Sequence, residues 1–190
     1  MKKIFQKGFT FVELLIVLGI LAILIATVLL TMNPAEAQRK ARDAQRMKDL
    51  VTLQAIMDQA VSDGITTADG EWNSKQQSEE RNCDGTGWLL FGSDLCKYVA
   101  ILPIDPKNVL GTVAGSTGTG GTCDNTTTIA NVPQSYYVAY ELATNSYEIN
   151  VRQESTSGCK NVKTDGGDSN AFVEAGTAEG LTLITDKAAY

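Results

Sequence analysis

The chain has 190 residues, with 16 Lys+Arg against 22 Asp+Glu, a formal charge of −6, and no histidine. The missing histidine excludes the commonest general base, the Ser-His and Cys-His nucleophile pairs, and the most frequent zinc ligand. Charge is also unevenly placed: residues 64–190 hold 8 basic and 16 acidic side chains, a net of −8, which argues against phosphate-backbone binding by that part.

Three lysines, Lys2, Lys3 and Lys7, precede an apolar run. Phe9 to Leu30 would make about 33 Å of helix, enough to cross a bilayer. The basic cluster keeps the first eight residues cytoplasmic and sends the rest across. One charge, Glu13, interrupts the run. A carboxylate at the centre of a membrane helix costs about 2.5–3.5 kcal/mol, and such groups usually have a partner. No cation lies within the helix, so either Glu13 stays near the headgroups or its partner comes from elsewhere, such as another copy. Gly19, Ala22 and Ala26 recur at three- and four-residue spacing, which allows close helix packing but is also ordinary membrane composition.

Two simple readings compete for this segment. One is a secretory signal cut near Ala35-Glu36-Ala37, releasing a chain that starts at Gln38. The other is a plain signal anchor. Against the first, the apolar core exceeds the usual length of about 7–15 residues, and cleavage would cut a continuing helical pattern.

Asn33-Pro34 marks the membrane exit and predicts a kink or local melting. From Ala35 to about Val61 a helical pattern resumes. Met47, Leu50, Val51, Leu53, Met57 and Ala60 form its apolar stripe, with Lys48, Asp49, Thr52 and Gln59 facing away. Ala37, Ala41 and Ala44 make a narrower face nearer the membrane. A domain would therefore pack only the distal half. The basic residues between Arg39 and Lys48 invite an anionic-lipid or DNA reading. The interleaved acids favour a solvated or salt-bridged face.

Asp63-Gly64 ends the helix, and residues 64–88 read as a polar, turn-rich surface connection. Leu95–Leu102 predicts a short helix stopped by Leu102-Pro103-Ile104-Asp105-Pro106. Residues 107–133, rich in Gly and Thr, read as an exposed loop. Its Asn125-Thr126-Thr127 matches a glycosylation sequon, a motif that recurs by chance. Tyr136–Leu142 and Tyr147–Arg152 predict strands joined in a hairpin at Thr144-Asn145, with short strands at Ala171–Glu174 and Leu181–Thr185. All four cysteines, Cys83, Cys96, Cys123 and Cys159, follow the membrane segment and include no Cys-x-x-Cys pair. They read as two disulfides in an oxidising compartment, against four buried thiols. Of three connectivities, Cys83–Cys96 with Cys123–Cys159 closes the shorter loops. Asp165-Gly166-Gly167-Asp168-Ser169-Asn170 clusters oxygen side chains. It reads either as an ordinary turn or as a calcium site through Asp165, Asp168 and Asn170.

Lys7-Gly8-Phe9-Thr10-Phe11-Val12-Glu13-Leu14-Leu15 resembles the processing site of type IV pilin precursors and pseudopilins. The likeness covers the leader and first helix. It fixes a glycine, an aromatic residue and a carboxylate at set spacing. It implies that a prepilin peptidase cuts after Gly8 and that Phe9 becomes an N-methylated terminus. Glu13 would pair with that amine on a neighbouring subunit. Removal of the leader creates a cation in the membrane zone, which offsets the desolvation of Glu13. The Leu-Pro-x-Asp-Pro turn is similar to one found in pilins and major pseudopilins. The latter bind calcium near their C-terminus, which supports Ca2+ as the one cofactor to consider.

The expected fold is α+β and pilin-like, a long helix with a membrane half and an amphipathic half packed on a small antiparallel sheet. Its parts would be a leader (1–8), a transmembrane and polymerisation helix (9–32), an amphipathic continuation (33–63) and an exported globular domain (64–190). The expected function is structural, without catalysis. The partners would be copies of itself, the peptidase, inner-membrane assembly machinery and membrane lipid before assembly, with no direct nucleic-acid contact. The protein would be a single-pass membrane protein, then part of an extracellular filament. The alternatives are a secretion-system pseudopilin and a signal-anchored surface binding domain that never polymerises.

Overall fold

A computed structural model describes residues 8–31, 33–65, 68–75, 80–91, 95–108, 113–114, 128–129, 135–155, 157–158, 162, 164–167, 172–181 and 183–184. The chain divides into two compact units, Met1–Ala37 and Gln38–Tyr190.

In the first unit, helix α1 runs Phe11–Thr31. Its Phe11–Val28 stretch is long and apolar enough to cross a membrane, and none of it is buried by the chain itself. The break that follows has a definite chemistry. Asn33 caps helix α2 (Pro34–Ser62), accepting the Glu36 N–H at its Oδ1 (3.2 Å), and its carbonyl accepts the Ala37 N–H (3.1 Å). Pro34 occupies the first helical position, where its missing N–H costs nothing. The expected disturbance at Asn33-Pro34 is thus a helix start.

The second unit packs α2 on a four-stranded antiparallel sheet of order β1-β4-β5-β6, with β1 Gly70–Asn73, β4 Tyr137–Glu141, β5 Ser146–Arg152 and β6 Phe172–Gly176. Strands β2 (Val113–Ala114) and β3 (Thr128–Ile129) pair separately. Val138, Tyr140, Tyr147, Ile149, Val151 and Val173 share one core with Leu50, Leu53, Ile56, Met57 and Ala60 of α2. The alternate residues of β5, Ser146, Glu148, Asn150 and Arg152, are also buried. Glu148 Oε2 there accepts the N–H groups of Leu183 (2.6 Å) and Ile184 (3.0 Å).

Turn chemistry closes these elements. Gly64 (φ 71°) ends α2, with Ile65 N–H donating to Ala60 O (2.9 Å) and Gly64 N–H to Val61 O (3.0 Å). This pair of bonds is a Schellman cap. The β4–β5 hairpin turns through Asn145 at φ 53°, a left-handed position that asparagine tolerates. Its Oδ1 accepts the Tyr140 hydroxyl (2.6 Å).

Four sequence expectations need correction. Residues 64–88 are not merely a surface connection: they supply β1, and Trp72 and Trp88 are buried. Trp88 sits in a loop with Leu89 and Phe91, and its indole N–H donates to Pro103 O (3.0 Å). Gly87 precedes it because a Cβ there would collide with the Asn82 carbonyl. The helix expected over Leu95–Leu102 shrinks to a 3-10 turn, Leu95–Lys97. Leu181–Thr185 forms no strand in its described residues, since Leu181 closes a 3-10 turn and the N–H groups of Leu183 and Ile184 serve Glu148. Finally, Val51 is 62 % exposed, while Ile56, outside the expected stripe, is buried. Val51 lies one residue, or about 100°, round the helix from Leu50.

Candidate processing and assembly segment

Gly8, Phe9 and Thr10 lie on non-helical backbone immediately before α1. Phe9 is 87 % exposed, and a Cβ on Gly8 would meet nothing within 4 Å. The Gly8–Phe9 bond therefore sits on exposed, non-helical backbone.

Glu13 is tied to the same stretch. Thr10 donates to its Oε2 from both N–H and Oγ1 (3.0 Å each), and the Glu13 N–H returns a bond to Thr10 Oγ1 (3.2 Å). This reciprocal arrangement is a capping box, with Thr10 as N-cap and Glu13 three residues on. It satisfies orphan N–H groups of the first turn and lets the helix dipole favour the carboxylate. Thr10 was absent from the sequence-based site residues, although its Thr-x-x-Glu spacing was the signal that could have found it. Behind it, the large apolar side chains of α1 are exposed as far as Val28, including Leu14, Leu18, Ile20, Ile23 and Leu24.

The second unit holds a buried charge cluster where α2 meets the ends of other elements. Arg46, completely buried, donates Nε to Asp105 Oδ2 (2.6 Å) and Nη2 to Asp105 Oδ1 (2.9 Å). Its Nη1 reaches Glu154 Oε1 (2.6 Å) and Asp43 Oδ1 (3.1 Å). Glu154 also receives Arg42 through a two-pronged pair (2.9 and 2.7 Å) and Lys107 Nζ (2.9 Å). Asp43 accepts the backbone N–H groups of Glu154 (2.8 Å) and Ser155 (2.7 Å). Burial alone would raise the Glu154 carboxyl. The hydrogen bond from Arg42 and the charge of Arg46 outweigh it and hold the group at about 2. Burial likewise pulls Arg46 down, and its bonds to Asp105 push it well above the ordinary arginine value. Burial and the neighbouring Arg46 lower Arg152 to about 10.

Asp105 is the aspartate of the Leu102-Pro103-Ile104-Asp105-Pro106 turn. Its Oδ1 also accepts the Lys107 N–H (2.8 Å), so one side chain both shapes the turn and binds the helix. The sequence pattern reads as a solvated or salt-bridged face; the ion pairs are there, and what sequence reasoning missed is their burial and the partners Asp105 and Glu154. The spacing carried the signal: Asp43, Arg46, Leu50, Leu53, Met57 and Ala60 recur every three or four residues as one inward stripe.

The other sequence-derived site residues divide. Cys83 and Cys96 form a disulfide, with Cα atoms 4.8 Å apart; Cys123 and Cys159 lie outside the described residues, as does the sequon at Asn125. Of the calcium candidates, Asp165 is described: its Oδ1 accepts the Gly167 N–H (3.2 Å) and its Oδ2 the Glu174 N–H (2.9 Å). It acts there as a turn former beside β6, and Asp168 and Asn170 lie outside the described residues. Among the described residues no group of three or more His, Cys, Asp or Glu side chains is arranged to hold a metal ion.

Residues 5–29 match the family model described as the prokaryotic N-terminal methylation motif. Searches among curated proteins and among solved structures found no match. The matched segment contains Gly8, Phe9, Thr10 and Glu13 and ends within α1. Such a motif belongs to precursors of the type IV pilin and pseudopilin type, anchored in the membrane by the apolar helix. The chain therefore carries a type IV pilin-like prepilin leader on an α+β, pilin-like fold.

Proposed function

We propose that this protein is a structural subunit of a type IV pilus or pilus-like filament, and not an enzyme. Prepilin peptidase cuts it between Gly8 and Phe9, the Phe9 amine is methylated, and the mature chain leaves the membrane to assemble through its N-terminal helix. The observation that supports this reading is the methylation motif over residues 5–29, which contains Glu13 and overlaps an apolar helix that the chain itself leaves unburied over Phe11–Val28. An apolar helix unburied over Phe11–Val28 needs external cover. Lipid supplies that cover before assembly, and neighbouring copies supply it afterwards. The absence of histidine and the use of buried carboxylates as ion-pair partners support the non-catalytic part of the reading.

In a filament, the Phe9 amine of a neighbouring copy would bond to the Glu13 carboxylate, whose bonds from Thr10 engage Oε2. Glu13→Ala is the direct test. The variant is expected to be processed and inserted at wild-type levels while sheared cell surfaces carry no filaments; normal filament yield would sink the reading. In the wild type, filament length on the same grids distinguishes a long pilus from the short filament of a secretion-system pseudopilin.

A further inference from the structure

Helix α2 is held to the domain in two chemically different ways. From Leu50 to Ala60 the grip is mainly apolar: Leu50, Leu53, Ile56, Met57 and Ala60 are buried in the core, and the Tyr147 hydroxyl adds a single bond to the Asp58 carboxylate. From Gln38 to Arg46 no apolar side chain is buried; Ala41 and Ala44 are exposed. The buried side chains of that stretch are Asp43 and Arg46, with Arg42 partly covered. The groups facing them are Asp105 and Lys107 from the proline turn, and Arg152, Glu154 and the Ser155 N–H from the end of β5.

We propose that this cluster is a releasable latch: residues 38–46 of α2 can leave the domain as one unit while Met47–Ser62 stays docked. The physical basis is the difference between the two grips. Apolar burial is lost gradually with exposed area. A paired buried charge cluster is satisfied only as a whole, because losing one partner leaves the others desolvated and unpaired. Opening it returns its charged groups to water together and takes no apolar side chain of residues 38–46 out of a buried site, so the main core has no reason to open with it. The stretch directly follows the membrane-anchored unit, so a released latch adds slack between that unit and the domain. Nine residues passing from about 1.5 Å to about 3.4 Å per residue lengthen the chain by about 17 Å. This inference rests on the packing of the second unit and stands whether or not the filament reading holds.

Hydrogen exchange of the full chain in detergent micelles, read by mass spectrometry in rising urea, tests it. In the wild type, amides of residues 38–46 should exchange through a separate opening, faster and less urea-dependent than that of Leu50–Ala60. Asp105→Asn and Glu154→Gln each remove one carboxylate charge. Each should speed exchange in residues 38–46 by about tenfold or more, leaving Leu50–Ala60 and β5 within about twofold of wild type. A single common opening for both halves of α2 in the wild type overturns the latch. So does equal acceleration of both halves, or no acceleration, in a variant. If both variants fail to accumulate, the wild-type exchange pattern alone decides.

Discussion

The two helices invert the usual rules in opposite directions. In α1 the large apolar side chains from Phe11 to Val28 are exposed, and its one charge is satisfied by the residue that starts the helix. In α2 the charged Asp43 and Arg46 are buried, while Val51 is exposed. An apolar surface left open points to cover from outside the chain; charges buried with full sets of partners have their cover inside it. The comparison separates a helix built for an external environment from one built to hold a domain. It predicts that changes in the two helices affect different observables.

The largest effect belongs to α1. Glu13→Ala should abolish filaments while leaving the urea midpoint of the domain unchanged, since Glu13 bonds only to Thr10 among the described hydrogen bonds. A shifted midpoint would mean that the two helices do not separate in this way. Next come changes to the domain that α2 packs against. Trp88→Ala should cost about 3–5 kcal/mol in urea unfolding, because it empties a fully buried aromatic site and orphans the Pro103 carbonyl. Replacing Cys83 and Cys96 together by serine should cost about 2–4 kcal/mol by freeing the loop that carries Trp88 and Phe91.

The α2 cluster gives a pH signature. Glu154 is held at about 2 in the folded protein against an ordinary 4.5, so the unfolded chain binds more protons in that interval. Its contribution is complete above about pH 4.5 and disappears as pH falls toward 2, a loss of about 2–3 kcal/mol. Urea midpoints between pH 7 and pH 2.5 should fall more steeply for wild type than for Glu154→Gln; parallel slopes would place that dependence elsewhere. The smallest effect is expected at Val51, where Val51→Ser on the exposed face of α2 should change stability by no more than about 0.5 kcal/mol.

Much of this was legible in the sequence where a residue type has one dominant physical use. The apolar run, the Gly64 stop, the Thr144-Asn145 hairpin and the Cys83–Cys96 pairing each rest on a local rule. What escaped depended on long-range contact. Strand β1 is four residues long and pairs with β4 more than sixty residues away, so no local pattern marks it. Trp88 looks like a surface residue in a polar loop until the disulfide and the Pro103 carbonyl place it. The Asp43–Arg46 grip hid because a charged residue on an inward stripe is read as outward unless its partners, here Asp105 and Glu154, are already known. The Thr10–Glu13 box, by contrast, was local and readable from spacing alone.

The most direct test of the account is the intact mass of the mature protein from membranes, with its N-terminus sequenced by fragmentation. A chain beginning at Phe9 and carrying one added methyl group on its amine is the predicted result. A chain still beginning at Met1, or one beginning at Gln38, would contradict it.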